Sequence, residues 1–501
     1  MNSDNFGNFL DGYIRDDEWN FQCHTINCSR RLQLIQSFYY PIFLYLHYLY
    51  LNDMCTMKKW KMRLWLPAMI CVALIESSGF SPATAAPGNN LLAGTVKIKI
   101  TPEVPVPMSG YGGRTASYKG IHDDLFARVI AFSDGVNKAL LITADLIGFS
   151  NSFWDETTRI ITRETGVKRE YILLAAVHNH NGPITKVYEN DSSSEVNNYV
   201  DGLRDKIVNA SKEALKKMVP VSIGAGKGEC KMNINRRAPD GNGGISLGQN
   251  PYAPCDHEVG VISVLDKSGN PLALIMNWPC HGVVLGPRNY LITGDWPGAA
   301  SRFVEDGSGG KLIAPVTIGA SGDINPIYGP HIDFEDNNSY AYGKDAIGED
   351  LGNESLRVAK DIQTFSDGKI SALQRLISLP AKEKIEKGFL QPGSKNDDSL
   401  QVRLSAVKIG NIVLTGVSGE VFNQISVKMR SQSPYNYTFM LTHCNGSSGY
   451  LVTEDAYPKP GITRSDNKYV PTGGYEIGTT KVKSGAEKAI IQNLLEMISE
   501  L

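Results

Sequence analysis

The chain has 501 residues, a formal net charge of −2 and 42% hydrophobic residues, which is the composition of an ordinary globular protein. Because the charge is close to zero, the sequence offers no general electrostatic attraction to nucleic acid or to an anionic membrane. Length alone favours two or more domains.

The N-terminal part of the chain has the pattern of a secretory signal peptide that begins internally at Met57. A basic segment over residues 57–63 precedes a short apolar segment over 64–75 and a small-residue cleavage signal. The apolar segment is too short for a membrane anchor. We therefore expect a signal peptide over 57–85, a secreted or periplasmic protein, and an upstream extension over 1–56 that is not native. An authentic but unusual leader is the alternative.

Residues 86–501 are predicted to form one large α/β domain. Apolar and alternating runs predict strands, with hairpin turns at 134–135, 267–270 and 408–411. Helical spacing predicts helices over 153–165 (capped by Asn151 or Ser152), 195–218, 339–364, 421–430 and 483–501. Because strands and helices are interspersed without repeats or a long linker, the fold class that we expect is α/β, a single large mixed-sheet domain with a metal site at the carboxyl ends of its strands. The segment 241–253 is expected to be an exposed loop at a substrate entrance.

Four apolar runs typical of buried strands end in polar side chains with metal-binding or catalytic chemistry. One run ends at His178 and His180, which face the same way because they are two residues apart on an extended chain. The others end at His281, Glu420 and Asp323. In open α/β sheets the carboxyl ends of strands bind ligands. Two histidines and a glutamate there predict a catalytic zinc site with one position open for water, with Asp323 as a supporting or turn residue.

The cysteines of the mature chain are Cys230, Cys255, Cys280 and Cys444. An exported protein can pair its cysteines, although sequence alone does not give the connectivity. The pairing that we favour is Cys230 with Cys255. Cys280 adjoins His281 and is expected to be a buried free thiol.

An ordered series of short motifs resembles the catalytic domain of the neutral/alkaline, non-lysosomal ceramidase family over about residues 92–475. Each motif is weak alone, but their order is specific to that family. They include Met108-Ser-Gly-Tyr-Gly, His178-Asn-His180-Asn-Gly-Pro, Asn233-Ile-Asn-Arg236, Gly322-Asp-Ile-Asn325-Pro, Gly419-Glu420 and Tyr450-Leu-Val-Thr-Glu-Asp. The resemblance implies a catalytic α/β domain over 86–501 without the family's C-terminal immunoglobulin-like domain.

The resemblance also implies an activity and a set of site residues. The family hydrolyses the amide of N-acyl-sphingosine with one zinc ion. The family's ligand positions correspond to His178, His281, Glu420 and Tyr450, of which only Tyr450 depends on the resemblance alone. The positions that contact substrate or the developing oxyanion correspond to His180, Arg236 and Tyr475.

Asn325 departs from the family pattern, because the family has a serine at this position. If that serine were an obligatory nucleophile, this protein would be inactive. If metal-activated water attacks instead, asparagine is tolerated, since its amide can donate a hydrogen bond to an oxyanion. We therefore count Asn325 among the catalytic candidates.

The sequence thus predicts an exported zinc-dependent hydrolase that cleaves the amide of an N-acyl lipid such as ceramide by metal-activated water. The alternatives are a zinc hydrolase of a different amide or ester, and a non-catalytic ceramidase-like binding protein. The expected partner is a small-molecule or lipid substrate, with at most transient contact with a membrane surface. No nucleic-acid partner and no obligate protein partner are indicated.

Overall fold

The computed structural model describes residues 91–114, 116–185, 193–328, 337–386, 389–458 and 473–501. The predicted upstream extension and signal peptide lie outside these residues. Within the described part of the chain, no helix is both long and apolar enough to cross a membrane.

Strands and helices alternate along the chain. The strands are β1 Leu92–Lys99, β2 Gly120–Ile121, β3 Phe126–Ser133, β4 Lys138–Ala144, β5 Ile172–Ala176, β6 Val219–Glu229, β7 Asn233–Asn235, β8 Arg237–Pro239, β9 Ile245–Leu247, β10 Glu258–Asp266, β11 Pro271–Trp278, β12 Leu291–Ile292, β13 Val316–Ile318, β14 Ile324–Pro326, β15 Ile370–Pro380, β16 Ser399–Ile409, β17 Ile412–Val417, β18 Glu420–Val421, β19 Tyr437–Leu441 and β20 Tyr450–Leu451. The helices are α1 Asn151–Thr165, α2 Ser194–Lys216, α3 Asp295–Gly307, α4 Asn337–Ala359, α5 Asn423–Gln432, α6 Gly474–Thr479 and α7 Ala486–Glu500.

The largest sheet has eight strands in the order β13-β11-β10-β6-β1-β3-β4-β5. Its hairpins, such as β3–β4 and β10–β11, are antiparallel, whereas β4–β5 and β11–β13 are parallel. The sheet is therefore mixed, which confirms the predicted fold class. The expected turns at 134–135, 267–270 and 408–411 each connect two paired strands.

A second sheet, β15-β16-β17-β19, packs face to face on the first. Successive strand residues point to opposite faces. On β3, Ile130 belongs to a core cluster shared with Leu414 of the second sheet, while Val129 belongs to the core beneath α1 and α2. The outer face of the second sheet is covered by α5 and α7. The layers are therefore helices, large sheet, small sheet and helices, and many strands are apolar on both faces because both faces are covered.

The predicted helices are observed with shifted ends. Helix α1 is capped by the side chain of Ser150, which accepts from the amide of Phe153, rather than by Asn151 or Ser152. The predicted helix over 421–430 starts later, at Asn423, because residues 420–421 pair as a short strand with β20.

The expected Cys230–Cys255 disulfide is wrong. Cys230, Cys255, Cys280 and Cys444 are free thiols. Cys230 is buried, and its thiol donates to the carboxylate of Asp350 at 3.2 Å. It is therefore already partnered within the core.

Candidate active site

The segments that follow β5, β11 and β17 meet at one edge of the two sheets and carry the histidines and the glutamate. Asn179 forms a parallel bridge with Gly282, so the loops bearing His178 and His281 run side by side. Glu420 begins β18, directly after β17. His178 has a φ of 53°, a left-handed conformation that is uncommon for a residue other than glycine and that clusters at functional sites.

Each of the three histidines is fixed by a hydrogen bond from its Nδ1 to a backbone carbonyl. The acceptors are Ile147 O for His178 at 2.9 Å, Ser321 O for His281 at 2.6 Å and Gly110 O for His180 at 3.0 Å. Because a carbonyl only accepts, Nδ1 must carry the proton and Nε2 must carry the lone pair when the ring is neutral. This is the tautomer in which Nε2 binds a metal ion.

Position 110 must be a glycine because His180 packs directly against it. A Cβ at Gly110 would lie 2.7 Å from the Cβ of His180, and Gly110 has a φ of +106°. Only glycine adopts this conformation without strain and leaves room for the ring. The motif Met108-Ser-Gly-Tyr-Gly therefore supports the histidine rather than contributing a functional side chain.

The three Nε2 lone pairs converge. The Nε2 atoms of His178 and His180 are 3.1 Å apart, and suitable ligand atoms of His178, His180 and His281 all lie within 4.8 Å of one another. Glu420 Oε2 lies 3.5 Å from the Nε2 atoms of both His178 and His281. Lone pairs at such distances repel each other unless a proton or a metal ion lies between them, so the donor set fits a divalent metal.

Burial and neighbouring charges shift the pKa values of the histidines and of Glu420. It lowers the pKa of His281 to about 4, with help from the positive charge of Arg236, and it lowers the pKa of His180 well below its usual range. Burial opposes ionisation of Glu420, but the surrounding histidines hold the pKa of this carboxyl well below 4.5. At neutral pH the site therefore presents two neutral imidazoles beside a carboxylate, the protonation states that metal binding needs.

Arg236 connects the histidine cluster to the other predicted residues. Its Nη1 donates to His281 Nε2 at 3.2 Å and to Asn325 Oδ1 at 3.3 Å, and its Nη2 donates to the hydroxyl of Tyr450 at 2.9 Å. The pairing of β7 with β14 brings Arg236 beside Asn325, because Asn325 is the register partner of Ile234. Glu420 and Tyr450 are register partners of the parallel pair β18–β20.

Tyr475 lies at the outer side of this group. Its ring meets that of Tyr450 edge to face at 5.8 Å, and it is 47% exposed. The next residue, Glu476, is fully buried and accepts from both Arg236 and Arg237. All eight predicted site residues are therefore brought together. Their roles remain predictions.

Two buried aspartates near the site, Asp323 and Asp295, accept hydrogen bonds from backbone and side-chain amide groups. Asp323 accepts from Asn235 and from the backbone of Asn423, and burial raises its pKa to about 6. Asp295 accepts from the backbone of Leu285, and burial likewise raises its pKa to about 6. Both carboxylates are therefore engaged with the surrounding scaffold, and the supporting or turn role expected of Asp323 stays a prediction.

Sequence reasoning missed two residues of the site. His443 follows the apolar strand β19, and its ring stacks on that of His178 with centroids 3.7 Å apart. The same pattern, an apolar run ending in a histidine, would have found it. Glu476 carried no comparable signal, since only the fold brings it to Arg236.

The segment 241–253 contains the turn and the second strand, β9, of the β8–β9 hairpin, and this strand packs near Tyr475. The side chain of Ile245 approaches Gly474 so closely that a Cβ there would lie 3.0 Å from it. Strand β9 therefore lies beside the outer tyrosine, and the role of the segment 241–253 as a substrate entrance stays a prediction.

Comparison with known proteins gives consistent results. A family profile described as neutral/alkaline non-lysosomal ceramidase, N-terminal, matches residues 91–341. Neutral ceramidase A of Dictyostelium discoideum is 26% identical over 387 residues, which cover 72% of this chain and 50% of that protein. Neutral ceramidase 1 of Arabidopsis thaliana is 27% identical over 215 residues, covering 41% of this chain and 28% of that protein.

The fold has a counterpart among solved structures. The crystal structure of neutral ceramidase from Pseudomonas aeruginosa superposes with a TM-score of 0.65 at 18% identity, covering 82% of this chain and 74% of that one. The chain spans about half or less of the length of the curated relatives that it matches.

Proposed function

The chain belongs to the neutral/alkaline non-lysosomal ceramidase family, and from this premise we propose that it is a zinc-dependent hydrolase that cleaves the amide of an N-acyl lipid such as ceramide. The main support for the proposal is the arrangement of three ligand atoms: the Nε2 atoms of His178 and His281 each lie 3.5 Å from Oε2 of Glu420. Two imidazoles and one carboxylate are the protein ligands of a large class of catalytic zinc sites.

The residues that would hold zinc are His178, His281 and Glu420, with Tyr450, the register partner of Glu420, as the fourth ligand that the family resemblance implies. A zinc ion in such a set lowers the pKa of a bound water to about 7 and polarises an acyl carbonyl. The backbone carbonyls of Ile147 and Ser321 keep the two rings in the required tautomer. Because burial lowers the pKa of His281 and the surrounding histidines lower the pKa of Glu420, neither of these two ligands has to lose a proton at neutral pH.

Arg236, Asn325 and Tyr475 are suited to stabilise the oxyanion that develops on the acyl carbonyl. Asn325 accepts from Arg236 through Oδ1, which leaves its amide Nδ2 as a donor. Removing one donor from an oxyanion site typically costs about 2.7–4 kcal/mol of transition-state stabilisation. An asparagine in place of the family's serine therefore supports attack by water rather than by a side-chain hydroxyl.

His180 is suited to proton transfer. Its Nδ1 proton is held by Gly110 O, while its Nε2 carries a lone pair within the cluster. This atom can accept a proton from the attacking water and return it to the leaving nitrogen. Because burial lowers the pKa of His180, the ring holds that proton only briefly at neutral pH.

A cleft of mixed polarity lies beside the site. It has a volume of about 320 Å³ and is lined by Ile245, Phe422 and Tyr457 together with polar side chains such as Asn235, Arg237 and Asp455. Phe422 is two residues from Glu420, so the cleft begins next to the predicted metal ligands. Ligand sites commonly combine such apolar walls with a few convergent polar groups.

Export is part of the proposal and rests on the signal-like segment that begins at Met57. N-terminal sequencing of the protein recovered outside the cytoplasm tests it. We expect the mature chain to begin near Ala86. A chain that stays in the cytoplasm with its leader intact would contradict it.

The activity is tested by incubating the zinc-loaded protein with a fluorescent N-acyl-sphingosine and, separately, with a fluorescent ester. We expect amide hydrolysis that disappears in the His178→Ala variant. Hydrolysis of the ester alone, with zinc bound, would reject the amide substrate while keeping the hydrolase. Zinc bound without turnover of either substrate would favour a binding protein.

A further inference from the structure

A second cleft lies between helix α1 and strands β15 and β16. It has a volume of about 720 Å³, and the loop over residues 391–394 completes its lining. None of the eight candidate site residues is among its described lining residues. The cleft is therefore distinct from the candidate active site, and an inference about it does not depend on the proposed function.

Two guanidinium groups lie over one indole ring in the wall of this cleft. The Cζ atoms of Arg403 and Arg169 are 3.5 Å and 4.3 Å from the ring centroid of Trp154. Arg169 forms an ion pair with Asp155 at 2.5 Å. Among the described residues, no carboxylate forms an ion pair with Arg403, although Glu170 lines the same cleft. The wall therefore carries one positive charge that no ion pair neutralises.

Arg403 is buried, at 7% exposure, and makes few hydrogen bonds for a buried cation. Its guanidinium donates to Asn445 O at 3.2 Å and to Gln391 Oε1 at 2.7 Å. These bonds use two of the five N–H groups that a guanidinium carries. Burial and the positive charge of Arg169 lower the pKa of Arg403 to about 9, so it stays charged at neutral pH. A buried charge without a partner of opposite sign is costly.

Other buried arginines of the chain are better compensated than Arg403. Arg128 forms ion pairs with both Asp145 and Glu305. Arg114 donates hydrogen bonds to four oxygen atoms. The environment of Arg403 is thus unusual within this protein, and the difference lies on the side of the guanidinium that borders the cleft.

Two further donors of the cleft have no acceptor. The indole Nε1 of Trp154 and the amide Nε2 of Gln391 are buried and have no hydrogen-bond partner among the described residues. Both side chains line the cleft, and Trp154 is 2% and Gln391 5% exposed. Each of these groups can only donate, and buried polar groups almost always have a partner. Two unused donors beside an uncompensated cation suit an acceptor oxygen that carries negative charge.

We propose that this cleft binds a small oxyanion, a phosphate or a carboxylate group, between Arg403, Gln391 and Trp154. A guanidinium is planar and matches two oxygen atoms of such a group. The anion would neutralise the charge of Arg403 and accept hydrogen bonds from the other two side chains. Free phosphate and the phosphate of a lipid headgroup share this chemistry.

The test titrates inorganic phosphate, and separately acetate, into the full chain and three variants. Gln391→Glu places a carboxylate where the side chain already accepts from Arg403, so it supplies an internal anion. Arg403→Met removes the charge and keeps an unbranched apolar stem beside Trp154. Gln432→Glu is the matched control, because it makes the same charge change at an exposed residue outside the cleft. Calorimetry gives the affinity, and thermal unfolding in phosphate-free buffer gives the stability.

We expect the wild type and Gln432→Glu to bind one anion per chain with the same affinity. Arg403→Met and Gln391→Glu should bind about 10-fold or more weakly, the loss that follows removal of one charge-assisted hydrogen bond. Without phosphate, Gln391→Glu should unfold at a higher temperature than the wild type. If Arg403→Met does not fold, Gln391→Glu alone decides the test. A wild type that binds neither anion, or equal affinities in the wild type and Gln391→Glu, would overturn the proposal.

Vesicles that contain phosphatidylglycerol identify the source of the anion. Cosedimentation that inorganic phosphate competes away and that Gln391→Glu loses would assign a lipid headgroup to the cleft. Binding of inorganic phosphate without cosedimentation would assign a free anion.

Discussion

Arg236 and Glu476 form a buried ion pair in the wall of the site, with Nε and Oε1 2.8 Å apart and neither side chain more than 6% exposed. Glu476 also accepts from Arg237 at 2.7 Å. Glu476 therefore fixes the Nε end of the Arg236 guanidinium, while its two terminal nitrogens contact His281 and Tyr450. A positively charged donor fixed in this way needs little reorganisation when charge develops nearby.

The first prediction concerns this pair. Glu476→Gln should lower the free energy of unfolding by about 3–5 kcal/mol, because removing one partner leaves buried positive charge uncompensated. Urea denaturation measures the loss. The matched control is Glu213→Gln, which removes the exposed partner of Lys217 and should cost less than about 1 kcal/mol. Equal losses of unfolding free energy in the two variants would show that Glu476 is not needed to compensate the buried charge of Arg236.

The second prediction concerns Asn325. Asn325→Ala should reduce kcat by about 10²–10³ without changing the zinc content, because it removes a donor to the oxyanion but no predicted ligand. Asn325→Ser keeps a donor and should retain more activity. The rates are measured at saturating N-acyl-sphingosine. An alanine variant as active as the wild type would remove Asn325 from the catalytic residues.

The third prediction separates the two tyrosines. Tyr475 is 47% exposed, so Tyr475→Phe should change the free energy of unfolding by less than about 0.5 kcal/mol. Its kcat should nevertheless fall about 10-fold or more, since a hydrogen bond to a charged group contributes about 1.5–3 kcal/mol. Tyr450→Phe should instead destabilise by about 1–3 kcal/mol, because a buried donor of Arg236 loses its acceptor. A larger loss of unfolding free energy in Tyr475→Phe than in Tyr450→Phe would contradict the positions described for the two tyrosines.

The fourth prediction concerns the metal-free protein in acid. Burial lowers the pKa of His281 to about 4, whereas a histidine in the unfolded chain titrates near 6.5. Between these values the unfolded state binds a proton that the folded state excludes, so His281 contributes stability that is present above about pH 6.5 and is lost as the pH falls towards 4. Urea unfolding of apoprotein at several pH values measures this loss. His281→Gln should flatten the dependence, and an unchanged slope would contradict it.

Much of the site could be predicted from the sequence because its ligands follow apolar strands. His178, His281 and Glu420 each stand where a buried strand ends, and strand ends meet at one edge of a sheet. Tyr450 and Tyr475 have no such local signal and came only from the family resemblance. Glu476 depends on the packing of α6 against β20, which no local pattern encodes.

The layered fold was harder to predict. Strands such as β3 and β17 are apolar on both faces, which indicates burial on both sides but does not say whether a helix or a second sheet covers them. The Cys230–Cys255 pairing failed for a similar reason, since spacing along the chain carries no information about the buried position of Cys230.

The most direct test of the account is a zinc titration of metal-free protein during turnover of N-acyl-sphingosine. We predict that the rate rises in proportion to added zinc and saturates at one ion per chain, with no response in His178→Ala. A rate that is independent of zinc, or zinc binding at one ion per chain without any hydrolysis, would contradict the proposal that this site is a zinc-dependent amidohydrolase.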